Sequence, residues 1–281
     1  MIISVASGKG GTGKTTVAVA LARSINYCQF IDYDVEAPNA SLFLKPDIKY
    51  IKKVTIRQPY FLTDTGKSFK KCADFCHYNA VASIGDEVVF FSELCHGCGG
   101  CILVGPEGAV REKDVEIGEI SKGFCPTGIN FLMGNLKPGN MRTPTVQSEL
   151  EKNIEYENHV IIDCPPGTSC SMVMAVKSSN YCILVTEPTP FGLNDLILSI
   201  EVLESLKIPF GVIINRFGIG NDEVINYCKN NNIKILCKIT NDLGIAKYYS
   251  QGLSLIDFDS AWKDKFADII SEIEKEVLKK W

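Results

Sequence analysis

The chain has 281 residues, enough for one large domain or a domain carrying an insertion, and its 46% apolar and 22% charged shares are those of an ordinary water-soluble protein. A net charge of −4 leaves no basic footprint for nucleic acid, and no apolar run reaches membrane-spanning length. The N-terminus enters a glycine loop where a signal peptide would have its cleavage site, so the expectation is a cytoplasmic protein. In that compartment thiols stay reduced. Twelve cysteines there point to metal where they cluster and to small buried side chains where they scatter.

Residues 2–6, IISVA, predict a short strand, and residues 16–25, TVAVALARSI, predict a helix with one apolar face. Between them SGKGGTGKTT satisfies G-x-x-x-x-G-K-[ST] through Gly8, Gly13, Lys14 and Thr15. In a strand–loop–helix context the backbone of Gly8, Gly10, Gly11, Thr12 and Gly13 can approach phosphates, and the helix N-terminus favours their charge. Lys14 then reaches the β and γ phosphates, while Thr15, followed by Thr16, offers a hydroxyl to Mg²⁺. Residues 29–39, QFIDYDVEAPN, predict a strand ending in Asp32 and Asp34, and residues 159–167, HVIIDCPPG, predict another ending in Asp163. Carboxylates at the C-terminal edge of parallel strands face the ligand crevice of an open α/β sheet.

The interval from Asp34 to Asp163 is longer than a crossover needs, so it must hold a folded insertion. Its centre contains CADFCHYNAV at 72–81 and ELCHGCGGCILVGPEGAV at 93–110. The second stretch follows the ferredoxin run C-x2-C-x2-C-x3-C-P through Cys95, Cys98 and Cys101, but has Gly105 before Pro106 where the fourth thiolate belongs. Aligned by its closing C-x3-C, the first stretch supplies Cys72 and Cys76 as third and fourth positions, with Gly66 and Phe69 as first and second. In two-cluster ferredoxins each centre takes three ligands from one run and the fourth from the other. The set at 66, 69, 72 and 105 therefore keeps only Cys72, whereas Cys76, Cys95, Cys98 and Cys101 form a complete set for one 4Fe-4S cluster. Four thiolates so spaced also suit structural zinc. His77 and His96 adjoin these thiols as surface residues, Cys72 and Cys125 are expected to bind nothing, and Cys28, Cys164, Cys170, Cys182, Cys228 and Cys237 are expected mostly in the core.

Beyond Asp163, residues 181–203 read strand then helix, 209–218 read strand, and 221–239 read helix then strand. This alternation predicts an α/β fold with a doubly wound, mainly parallel sheet. The last helix carries an apolar stripe of Phe266, Ile269, Ile270, Ile273, Val277 and Trp281, expected to pack on the sheet because Glu272, Glu274 and Glu276 oppose membrane binding.

The wording GKGGTGKT with its early Lys9, together with DVEAPN and TEPTPFGLNDL, resembles the MinD superfamily of P-loop ATPases, the group of MinD, ParA, Mrp and the nitrogenase iron protein, and in particular its members with an inserted ferredoxin domain. The resemblance runs end to end. It implies an ATPase domain in two parts, residues 1–57 and 116–281, around a small ferredoxin-like α+β domain at 58–115. It also implies a homodimer on ATP binding in which Lys9 reaches the partner's nucleotide, Asp34 orients the attacking water, Asp163 holds Mg²⁺ through water and Asn215 contacts adenine. Arg216, Phe217 and Gly218 do not make the N-K-x-D of GTP-specific relatives, so ATP is expected. Slow ATP hydrolysis would then be coupled to electron transfer to, or metallocluster maturation of, an unidentified redox or metalloprotein client. The alternative is a nucleotide-dependent scaffold with a structural zinc site.

Overall fold

The computed structural model describes residues 1–63, 66–85 and 87–279. The chain opens with β1 (Ile2–Ala6), α1 (Lys14–Arg23), β2 (Cys28–Asp32) and the single turn α2 (Ser41–Leu44). Next come β3 (Asp47–Phe61), α3 (Lys70–Phe75), β4 (Val81–Ile84), β5 (Glu87–Phe90), α4 (Gly100–Val104) and β6 (Val110–Phe124). They are followed by β7 (Ile129–Leu136), α5 (Thr143–Glu151), β8 (Val160–Asp163), α6 (Cys170–Val176), β9 (Tyr181–Thr186) and α7 (Pro190–Ser205). The C-terminal part is β10 (Phe210–Phe217), α8 (Glu223–Asn230), β11 (Ile235–Thr240), α9 (Leu243–Ser250), α10 (Leu255–Phe258) and α11 (Ala261–Leu278).

Nine strands form one sheet in the order β11-β10-β9-β1-β8-β2-β7-β6-β3. From β11 to β7 every pair is parallel, and β6 and β3 complete the edge antiparallel to their neighbours. The parallel strands read as continuous apolar runs because both faces are covered. Their period of two sends Ile3, Val5, Phe30, Ile161 and Ile183 to the face packed by α1 and α11, and Ile2, Ala6, Ile31 and Ile162 to the face packed by α5, α6, α7 and α8. The fold is thus the mixed α/β, mostly parallel architecture expected from the alternation.

Within α11, Phe266, Ile269, Ile270 and Ile273 are buried on the sheet, and Val277 packs against them. Trp281 lies outside the described residues. Among the described residues no helix is long and apolar enough to cross a membrane.

The insertion grows out of the sheet without a break. β3 and β6 are each 15 residues long and stay paired from Asp47–Phe124 to Phe61–Val110, carrying one ribbon past positions 57 and 115. β3 is the sheet edge, and Lys49, Lys52, Lys53 and Arg57 guard it against strand addition. At the far end of the ribbon, α3, α4 and the β4–β5 hairpin close a small core of Phe69, Cys72, Val81, Ala109 and Val110.

On the opposite side of the molecule, α10 is fastened to the end of α1. Arg23 grips the Asp257 carboxylate with both terminal nitrogens, at 2.5 and 2.9 Å, and Asp257 also accepts from the Ser254 amide at 2.7 Å. Burial acts to raise this carboxyl, but the Arg23 and Ser254 donors outweigh it and hold it at about 2. The stabilisation is complete above the ordinary carboxylate range and fades as pH falls from about 4 through about 2. Asp257→Asn is expected to cost about 1 kcal/mol at pH 7, the partial exposure of the pair discounting a larger figure. Urea midpoints measured at pH 7 and pH 3 should show the difference from wild type shrinking at the lower pH.

Candidate functional site

β1, β8 and β2 end side by side, and the loops leaving them meet over α1. Gly13 sits at φ 95°, and a Cβ there would lie 2.3 Å from Nδ2 of Asn215, so only glycine lets the loop turn into the helix at this point. Asn215 fastens the same turn by donating to the Thr12 carbonyl at 2.7 Å. The result is a cavity of about 400 Å³ lined by Gly10, Gly11 and Gly13 to Thr16 of the loop, by Asp34 and Asn39, and by Asn215, Arg216, Asp242 and Tyr249. Lys14 is buried at its base.

Thr15 donates its hydroxyl to Oδ2 of Asp163 at 2.6 Å, while Oδ1 of Asp163 and the Thr12 hydroxyl are buried without a partner. Burial pushes the Asp163 carboxyl up, against the opposing pull of Thr15 and Lys14. Asp34 is raised by burial too, with Lys14 opposing. Asp32 is fully buried and raised by burial and by Asp163, and its oxygens accept from the amides of Asp34, Asn39 and Ala40 at 3.2, 3.0 and 3.0 Å. Asp32 therefore shapes the loop, which leaves Asp34 facing the cavity. Carboxyls gathered around one ammonium, with orphaned acceptors, fit a hard divalent cation that prefers oxygen ligands.

Lys9 does not point into this cavity. Its ammonium lies 3.2 Å from Oε2 of Glu187, and the other oxygen of this buried carboxylate takes Nη1 of Arg216 at 2.5 Å. Arg216 itself adopts φ 51°, a strained conformation for a non-glycine residue, directly after Asn215.

At the tip of the ribbon, the two cysteine stretches lie near enough for their thiols to influence one another. Cys101 is pushed up to about 12, first by burial and then by Cys72, Cys76, Cys95 and Cys98. The Ala80 amide points at the Cys76 sulfur at 3.3 Å and the Gly97 amide at the Cys95 sulfur at 3.4 Å. Cys95 is buried, Cys76 and Cys101 are half-buried, and Cys98 is exposed. Among the described residues no three His, Cys, Asp or Glu side chains are grouped as the ligands of a metal ion. His96 is stacked on Tyr78 with ring centroids 3.6 Å apart.

A buried cation completes this region. Arg142, at the start of α5, donates from Nε to the Cys95 carbonyl at 2.7 Å and from Nη2 to the Ser92 and Glu93 carbonyls at 2.7 and 3.2 Å, and Nη1 is held by Asn140. No carboxylate among the described residues bonds it. A desolvated guanidinium without a counter-ion is costly, so this end of the thiol group is suited to negative charge. The donor set and this unmatched charge fit an anionic thiolate-bound centre.

Of the other ligand set, positions 69, 72 and 105 are packed shut, while Gly66 is exposed with open space around it. Phe69 and Cys72 are fully buried in the small core, Phe69 meets Phe61 edge to face, and a Cβ on Gly105 would lie 2.6 Å from the Cys101 carbonyl and 3.1 Å from the Cys72 sulfur. Of the remaining cysteines, Cys28, Cys125, Cys164, Cys182, Cys228 and Cys237 are buried. Cys170 departs from the expectation, being exposed at the first turn of α6.

The sequence matches the family described as the CobQ/CobB/MinD/ParA nucleotide binding domain over residues 3–256. The chain belongs to this family. An uncharacterized protein of Methanocaldococcus jannaschii is 34% identical over 268 residues, covering 92% of this chain and 93% of that protein. An iron-sulfur cluster carrier protein of Pyrococcus abyssi is 26% identical over 221 residues, 76% of this chain and 60% of its own length. Among solved structures, the septum site-determining protein MinD of Pyrococcus horikoshii, complexed with Mg-ADP, shares the fold with a TM-score of 0.58 at 21% identity, over 98% of this chain and 96% of that one.

The chain is thus a MinD/ParA-like P-loop protein, and two groups of its site residues escaped the sequence reading. Glu187 had a signal, since it ends an apolar strand run as Asp32 and Asp163 do. Asn39 closes the DVEAPN stretch that carries the resemblance, whereas Asp242, Tyr249 and Arg142 had no signal, because each reaches its site from a loop or helix without a motif. The packing at the closed ligand set yields a direct check. Gly105→Ala should destabilise the chain by about 1–3 kcal/mol through overpacking against the Cys101 carbonyl and Val110, read as a lowered urea midpoint.

Proposed function

We propose that the chain is an ATP-hydrolysing dimeric switch coupled to one 4Fe-4S centre on Cys76, Cys95, Cys98 and Cys101, serving electron transfer to, or metallocluster maturation of, a client protein. In this reading residues 58–115 are a ferredoxin-like domain reduced to a single centre, set between two parts of an ATPase domain at 1–57 and 116–281. The observation that carries it is the unmatched charge of Arg142 against Cys95, in a thiol group drawn from two stretches, on a chain whose phosphate loop is complete. The name of the 26% identical relative supports the maturation branch.

The chain's own groups divide the work. In this reading Gly8 to Thr16 with Lys14 bind the phosphates, Asn215 contacts adenine, and Asp34, which lines the cavity, orients the attacking water. Mg²⁺, held by Thr15 and through water by Asp163, would neutralise charge on the phosphate oxygens. Lys9 leaves Glu187 to reach the nucleotide of a second copy, placing a cation where charge spreads during transfer. The thiolate-bound centre would supply a one-electron store or a cargo.

Lys14→Ala should abolish MgATP binding by calorimetry. Lys9→Ala should bind MgATP but stay monomeric in light scattering, with turnover down by about 10³-fold or more, the scale of a cation supplied in trans. Normal hydrolysis by monomeric Lys9→Ala protein would overturn the trans role.

Protein purified without oxygen should contain about four irons and four sulfides per chain. Cys76→Ser and Cys98→Ser should lose iron to the same degree although they lie in different stretches, while Cys72→Ser keeps it. One zinc per chain with no sulfide would favour the scaffold instead, and iron lost from Cys72→Ser but kept in Cys76→Ser would refute the ligand set.

A further inference from the structure

Helix α5 touches every part of the machinery at once. Its entry residue Arg142 holds the carbonyls of Ser92, Glu93 and Cys95. The next residue, Thr143, is buried and donates its hydroxyl to Oε1 of Glu36 at 2.6 Å, and Glu36 lies two positions beyond Asp34 in the loop that walls the nucleotide cavity. One turn further, fully buried Gln147 donates to the Tyr33 carbonyl at 3.2 Å and to the Ser171 carbonyl at 3.3 Å, the latter in α6 just after the loop that follows Asp163. A single short helix therefore bonds the thiol-bearing loop at its start and, along its first turns, the loop of Tyr33 and Glu36 and the first turn of α6.

The helix is stiff and closely packed. Pro144 stiffens its first turn, and Val146 lies against Gly118 of β6 and Gly134 of β7, where a Cβ on either glycine would stand 3.0 Å from a Val146 methyl. Such close packing transmits displacement in place of absorbing it. We propose that Arg142, Thr143 and Gln147 are positioning residues that pass the state of the nucleotide site to the Cys95 loop through α5. This rests on the reading of the cavity as a MgATP site and of the thiols as one centre, and goes beyond it in naming the connection. By linkage the effect is reciprocal, so the occupancy of the thiol site shifts nucleotide affinity by the same factor.

The test compares hydrogen exchange of residues 92–101 in anaerobically prepared protein with and without MgATP, alongside the calorimetric affinity for MgATP. Wild type should change its protection there by about fivefold or more, the lower end of common coupling factors. Thr143→Val removes only the hydroxyl donated to Glu36, so it should still bind MgATP, with a Kd shifted by no more than the lost coupling factor of about fivefold, yet lose the change in protection, and Thr143→Ser should restore both. Arg142→Gln should lose the change as well; because it also empties a buried charge, the Thr143 pair carries the decision. Binding of MgATP by wild type without altered protection at 92–101, or full coupling in Thr143→Val, overturns the inference alone. Failure of wild type to bind MgATP overturns the nucleotide reading and the inference together.

Discussion

A carboxylate buried beneath a phosphate loop has to be answered by something positive, and that constraint at Asp163 organises the molecule. Its two oxygens are served unequally, one by the Thr15 hydroxyl and the other by nothing. Lys14 alone faces both Asp163 and Asp34, so the ends of β2 and β8 are left with unanswered carboxyl oxygens beside a loop rich in backbone N–H groups. The parallel sheet makes this arrangement by geometry, since β1 lies hydrogen-bonded between β8 and β9 with β2 on the far side of β8. Covering both faces with helices then stabilises a crevice that stays electrostatically incomplete until nucleotide and metal arrive.

The thiol region repeats the problem with the opposite sign. There the unanswered charge is a guanidinium, Arg142, and the incomplete partners are sulfur atoms. The thiol region stands at the end of the β3–β6 ribbon, and α5 bonds to it and to the loop of Glu36 beside the cavity. Glu187 plays a comparable part on the far wall, holding Lys9 and Arg216 with one carboxylate.

Much of this was legible in the residues alone. The phosphate loop, Asp34 and Asp163 are local patterns at strand ends, and the alternating apolar runs announce a parallel sheet because such strands are buried on both faces. The nearness of the two cysteine stretches at one end of the ribbon was suggested by the spacing of two incomplete runs, while the ligand set drawn from them remains a proposal. The reach of the ribbon was hidden, because β3 is an edge strand rich in lysine and its residues do not alternate as a half-buried strand should. Arg142, Thr143 and Gln147 were invisible for another reason: their partners lie from 24 to 114 positions away, and nothing in a helix sequence records a distant carbonyl.

The closed core around Phe69 makes the chemistry of this chain hard to enlarge. A thiol at 105 alone would strike the Cys101 carbonyl, and a thiol at 69 alone would empty the space of an aromatic ring that packs on Phe61. Neither change helps until the other, together with one at 66, has been made, and each on its own weakens the lobe. The closed state of this lobe is therefore one-way with respect to point substitution, and under the proposed reading the packing of one phenylalanine would hold the protein to a single centre.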